Sequence, residues 1–278
     1  MESIPASSNA IVRWFKLDQF EPERAVTSHW VSSKTFLLIR TLPTLYAIII
    51  MFADIGTTAQ SGTFNFFFAY FTNLTYIGLF SYLVCVYTHH VRYLLTPKPH
   101  TPNSFFQQWP ILNYLFVILY HTVVCYNVIT PVIFWSLLSG SLIKNGATPE
   151  AWWMACSVHA ASFFQMMIDV IFNRMIMVPR MVIFELMGMI LYMCLAFVIY
   201  GVDHVWTYAF LDWSQGGKAA IWYVVVAAVA VIVFFLMYGV HRLRDFIASR
   251  AGRNNQHEQF DLEKTDYEHG AETAPYQA

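Results

Sequence analysis

Two side chains in the oily middle of this sequence have the types that nucleophilic catalysis needs. They are Thr72 in "FAYFTNLTYIG" and His159 in "WMACSVHAASFFQMMIDV". A hydroxyl becomes a useful nucleophile when a base takes its proton, and an imidazole within hydrogen-bond reach can be that base. Each residue also has an ordinary structural reading. A threonine in a membrane helix bonds the carbonyl three or four residues back, and a lone intramembrane histidine bonds a neighbouring helix. Depth raises the pair above either reading. With spans near 65–87 and 152–172, each residue falls about eight positions into a helix running the same way. That places both about 11–12 Å from one membrane face. Asn73, beside Thr72, is the candidate donor to an oxyanion.

Ionisable groups inside a membrane cost about 2.5–3.5 kcal/mol each on insertion scales and generally face the bundle interior. The set here is Arg40, His121, His159, Asp169 and Glu185, with Asp203 and His204 at a boundary. Asp169 lies about 15 Å along the helix from His159, so the two form no direct dyad. Asp169 and Glu185 flank a short loop carrying Arg174 and Arg180. That spacing suggests an interfacial charge network holding a helical hairpin; the alternative makes one carboxyl group an acid or a substrate-orienting group. His89 and His90 are adjacent and point about 100° apart on a helix, a poor metal pair expected at the headgroup boundary. There is no Gly-x-Ser-x-Gly elbow, no His-Glu-x-x-His helix and no phosphate-cradling glycine loop. No metal or other cofactor is called for.

The elements that must position these residues are membrane helices. The chain is 57% hydrophobic and 12% charged, where a soluble domain has about a quarter charged residues. A net charge of −1 argues against a nucleic-acid partner. A crossing helix needs about 20 apolar residues, and six segments qualify: 35–53, 65–87, 111–138, 152–172, 182–202 and 219–240. Their continuous rather than alternating apolar character excludes a β-barrel. Pro131 is expected to kink or end the third. The amino terminus lacks the basic start and apolar core of a cleavable signal peptide. Cys85, Cys125, Cys156 and Cys194 all lie in apolar runs and read as small hydrophobes rather than disulfide partners.

Orientation follows from Lys and Arg. Arg13, Lys16, Arg24, Lys34, Arg92, Lys98, Arg174, Arg180 and the basic run after helix six share one side, against Lys144 and Lys218 on the other. Positive residues stay inside, so both termini are expected in the cytoplasm. The expected fold is an all-α polytopic membrane bundle of about six helices, in the endomembrane system or plasma membrane. Residues 1–34 form a cytoplasmic segment, 35–240 a six-helix catalytic domain, and 241–278 a cytoplasmic, largely disordered tail.

Three stretches, "YFTNLTYIGLFSYLVCV", "HAASFFQMMIDVIFNR" and "VWTYAFLDW", resemble the androgen-induced protein family. The resemblance spans roughly residues 35–240. It implies a multi-helix membrane enzyme that hydrolyses fatty-acid esters of hydroxy fatty acids with an intramembrane threonine and histidine. Those would be Thr72 and His159, with Asp169 where the family has a glutamate. A late family motif falls on Tyr208, Ala209, Phe210, Leu211 and Asp212. The chain departs from the family in a longer amino-terminal extension, in Ala209 for a common proline, and in Cys156 where a second histidine is frequent.

The resulting expectation is an integral membrane hydrolase of lipid esters whose partners are the membrane and a lipophilic small molecule. Two other readings stay open. One is a cyclase or isomerase of a prenylated or terpenoid lipid, with Asp169 or Glu185 as proton donor and aromatics stabilising a cation. The other is a non-catalytic lipid-binding or transport protein.

Overall fold

The computed structural model describes residues 7–96, 108–144 and 146–253. Six helices are long and apolar enough to cross a membrane: α1 (Ser33–Gln60), α2 (Phe71–Leu95), α3 (Pro110–Leu138), α4 (Pro149–Phe172), α5 (Pro179–Asp203) and α6 (Gly217–Arg250). Among the described residues there is no strand. The protein is therefore an all-α, polytopic membrane bundle. Local chemistry sets the helix starts. The Ser32 side chain accepts from the Thr35 N–H to open α1, and Thr148 does the same for Ala151 at α4, with Pro149 pre-set in the first turn.

The described residues before α1 and after α6 meet at one end of the bundle, here called the terminal end, where Arg253 reaches the Trp30 carbonyl and Arg174 and Arg180 reach the amino-terminal segment. The centre is packed by Leu79, Tyr82 and Leu83 of α2, Tyr120 and Val124 of α3, and Met166 and Val170 of α4. Helices α5 and α6 sit outside that core. α5 buries only Met181, Glu185 and Ala196, and α6 exposes Ile221, Val224, Ile232 and Leu236 as a lipid-facing helix would. α3 and α5 meet closely at Gly188, where the Tyr126 hydroxyl occupies the space a Cβ would need. That hydroxyl donates to the Glu185 carbonyl at 2.6 Å.

A buried polar network ties the terminal half together. Arg40 of α1 donates from Nε to Asp169 of α4 at 2.7 Å and pairs through Nη2 at 2.6 Å. Its remaining donors meet His90 Nδ1 at 2.8 Å and the Ala25 carbonyl at 2.9 Å. Arginine has no acceptor, so His90 accepts at Nδ1 and its Nε2 proton faces the Ser33 carbonyl at 3.0 Å. The second Asp169 oxygen accepts from Tyr82 at 2.6 Å and Asn173 at 3.0 Å. Asn173 leads on to Arg244 of α6. Arg244 also holds the Val170 and Met175 carbonyls at 2.7 and 2.6 Å.

This network corrects several expectations. Asp169 and Glu185 do not share a charge cluster. Arg40, 129 residues away in sequence, takes Asp169, while the Glu185 carboxyl is buried and neither oxygen makes a conventional hydrogen bond. Arg174 reaches Thr27 and Arg180 the Trp14 carbonyl, both in the amino-terminal segment. His90 is fully buried in the bundle, with Arg40 and Ser33 as its partners.

The amino-terminal segment closes the terminal end instead of hanging free. Its Ala25 and Val26 have no exposed surface, and Phe15 packs on Phe184 with ring centroids 4.6 Å apart. α6 runs on past position 240 to Arg250 and buries His241 and Arg244. His241 accepts from Tyr120 at 2.7 Å, which gives these polar residues partners inside the bundle. The expected disorder of residues 254–278 lies outside the described residues.

Replacing Asp169 by alanine leaves the Arg40 guanidinium buried without its counter-charge. That should cost about 3–5 kcal/mol. Asp169→Asn, which keeps both oxygen and nitrogen contacts in part, should cost less. Thermal unfolding of both variants in detergent checks the order, and equal midpoints with the wild type would refute it.

Candidate active site

At the end of the bundle opposite the termini lies an open cavity of about 810 Å³. Thr72 and His159 both line it, together with Asp54, Asn73, Phe134, Glu150 and Tyr208. The tertiary structure thus brings the two sequence candidates to one cavity, by a different route from matched depth. Residues Phe64–Ala69 form a separate 3-10 helix, and α2 begins only at Phe71. Thr72 therefore stands in the first turn of its helix rather than about eight residues in.

The start of α2 is held by aromatic side chains. Its first N–H groups have no intrahelical acceptors. The Tyr208 phenol oxygen lies within hydrogen-bonding reach of the Phe71 and Thr72 N–H groups and of the Thr72 hydroxyl. Burial pushes the Tyr208 phenol above its ordinary pKa, so it keeps its proton. Tyr192 donates to the Ala69 carbonyl at 3.1 Å just upstream. Asn73, the expected oxyanion donor, braces the turn instead, its amide donating to the Phe67 carbonyl at 2.9 Å. Tyr208 was visible in the sequence only as part of an aromatic motif, and its seat on Thr72 is a tertiary contact across 136 positions.

His159 sits in a wide π turn, Ser157–Ala161, inside α4. A second π turn, Phe134–Leu138, lies in α3. The Phe134 and His159 rings stack with centroids 3.6 Å apart and planes 6° apart, and Trp135 Nε1 donates to the His159 carbonyl at 3.3 Å. Such turns concentrate at functional sites because they re-aim side chains within a helix. Pro131 removes a ladder hydrogen bond one turn before Phe134, yet the helix carries through to Leu138 instead of ending. His159 Nδ1 is enclosed and has no partner, which leaves Nε2 to meet the cavity. The ring is fixed by stacking rather than by a carboxylate. No direct hydrogen bond joins Thr72 to His159, an arrangement common where substrate binding closes the catalytic contact.

Two acidic residues of the cavity escaped the sequence reading. Asp54 lies one position beyond the expected end of the first span, but α1 runs on to Gln60 and keeps Asp54 only 8% exposed. The helix-compatible run "ADIGTTAQ" carries the signal for this extension. Glu150 opens α4 at the exposed rim. Asp169 and Glu185 line neither this cavity nor its neighbour.

That neighbour is an apolar cavity of about 360 Å³ between α2, α3, α5 and α6. Met189, Ile190 and Met193 of α5 and Val226 and Ala227 of α6 form its outer wall. Thr72, Phe134, Leu138 and Tyr208 line both cavities, whereas His159 lines only the polar one. Thr72 stands at the junction.

No family model, characterised protein or solved structure matches this chain. Among the described residues, no three His, Cys, Asp or Glu side chains cluster closely enough to hold a metal ion. The site is read from its own geometry.

Tyr208→Phe removes the acceptor from the first turn of α2, and leaving buried donors unpaired costs about 1–3 kcal/mol. Amide hydrogen exchange in a peptide spanning residues 64–75 should accelerate in the variant. Unchanged exchange there would show that Tyr208 does not hold this turn.

Proposed function

We propose that this chain is an integral membrane hydrolase of lipid esters, with Thr72 as nucleophile and His159 as general base and acid. The observation that carries this reading is the placement of Thr72 on the wall shared by a polar and an apolar cavity. An ester of a long-chain acid has the same division. Its acyl chain suits the apolar chamber, its alcohol half suits the polar one, and its carbonyl then falls beside Thr72.

In the first step Thr72 Oγ attacks the carbonyl carbon while His159 Nε2 takes the hydroxyl proton. The ester C–O bond breaks, and the same proton passes to the departing alcohol oxygen. Water entering from the polar cavity then gives its proton to His159 and attacks the acyl-threonine. The carboxylic acid leaves and the Thr72 hydroxyl is restored. The Tyr208 hydroxyl, held beside Thr72, supplies a donor for the developing oxyanion. The resemblance to the androgen-induced family assigns the same two residues.

The cyclase reading has less support. Asp169 has its oxygens filled by Arg40, Tyr82 and Asn173, and Glu185 faces the Cys125 thiol rather than a described cavity. Neither carboxyl is placed to protonate a bound lipid.

Thr72→Ala and His159→Ala should each lower kcat by about 100-fold or more against a neutral long-chain ester, with unchanged thermal unfolding. His159→Phe keeps the stack on Phe134 and should be as inactive as the alanine variant. Full turnover in Thr72→Ala would overturn the assignment.

A further inference from the structure

The two chambers differ in charge as well as in polarity. Because His159 lines only the polar cavity, the leaving oxygen that it protonates must sit on that side, and so must the alcohol half of the ester. The polar chamber contains Asp54 and Glu150, while its other polar residues, such as Thr57, Thr58 and Ser61, are neutral. Among the described residues, no Lys or Arg lines either cavity. Asp54 makes no salt bridge within 4.0 Å that would cancel its charge, among the described residues. An alcohol half carrying a carboxylate or phosphate would meet like charge there with no cation to receive it, and like charges facing one another disfavour binding.

We propose that the site takes acyl esters whose alcohol half carries no negative charge, with the hydroxyl-rich wall and the Asp54 carboxylate receiving its donors. A monoacylglycerol has the required chemistry. This inference rests on the hydrolase reading and narrows it. The hydroxy-fatty-acid esters implied by the family resemblance bear a free carboxylate on the alcohol half, so they should be poor substrates here.

The test uses the full chain in detergent micelles and three probes with the same acyl chain. They are an ester of a hydroxy fatty acid with a free carboxyl group, the methyl ester of that compound, and a monoacylglycerol. The expected result is a kcat/KM about tenfold or more higher for the methyl ester and the monoacylglycerol than for the free acid. Glu150→Gln at the exposed rim and Asp54→Asn within the wall should each shrink that ratio. Comparing ratios between variants cancels the different micellar partition of the two esters. If Asp54→Asn fails to fold, Glu150→Gln alone still reads the effect. Thr72-dependent hydrolysis that favours the free acid, or a ratio that neither variant changes, would overturn the charge inference and leave the hydrolase reading standing. Hydrolysis of none of the three would overturn the hydrolase reading and the inference with it.

Discussion

The pairing of Arg40 with Asp169 is the constraint on which the rest of the bundle depends. A guanidinium and a carboxylate without solvent are tolerable only when every donor and acceptor is met. Here the demand is met by four residues on three separate pieces of chain: Ala25 from the amino-terminal segment, His90 and Tyr82 from α2, and Asn173 after α4. Each partner fixes the rotation of its helix about its own axis. Once α1, α2 and α4 are locked at the terminal end, their opposite ends have little freedom, and those ends carry Asp54, Thr72 and His159. The polar network and the candidate site are thus two ends of the same three helices, one filled and one open.

The open end is built from departures from regular helix. α2 starts abruptly after a 3-10 turn, which exposes first-turn N–H groups beside Thr72. α3 and α4 each contain a π turn, which brings Phe134 and His159 face to face. Regular helices would pack these positions against one another. The irregular turns instead hold a polar cavity open where a membrane protein would otherwise be sealed by side chains.

The outer helices complete the arrangement. α5 and α6 bury few residues in the core, and the flexible Met189 and Met193 side chains form part of the apolar chamber's wall. Methionine adapts to irregular apolar shapes at low cost. The Gly188–Tyr126 contact pins α5 to α3 beside this chamber.

The sequence by itself determined the all-α membrane fold, because uninterrupted apolar runs leave the backbone no other way to satisfy its hydrogen bonds in lipid. It also singled out Thr72 and His159, since intramembrane polar residues are costly enough to be conspicuous. Partner choice was another matter. Asp169 appeared nearest to Glu185, Arg174 and Arg180 along the chain, yet its charge is met by Arg40 from the far side of the bundle. The places of Asp54, Tyr208 and Phe134 in the site were likewise not legible, because they come together only through helix ends, π turns and a loop that no local pattern specifies. Periodicity reports which residues leave water or lipid. Only the packing of the helices decides which of them meet, and that packing joined Thr72 to both chambers and His159 to one.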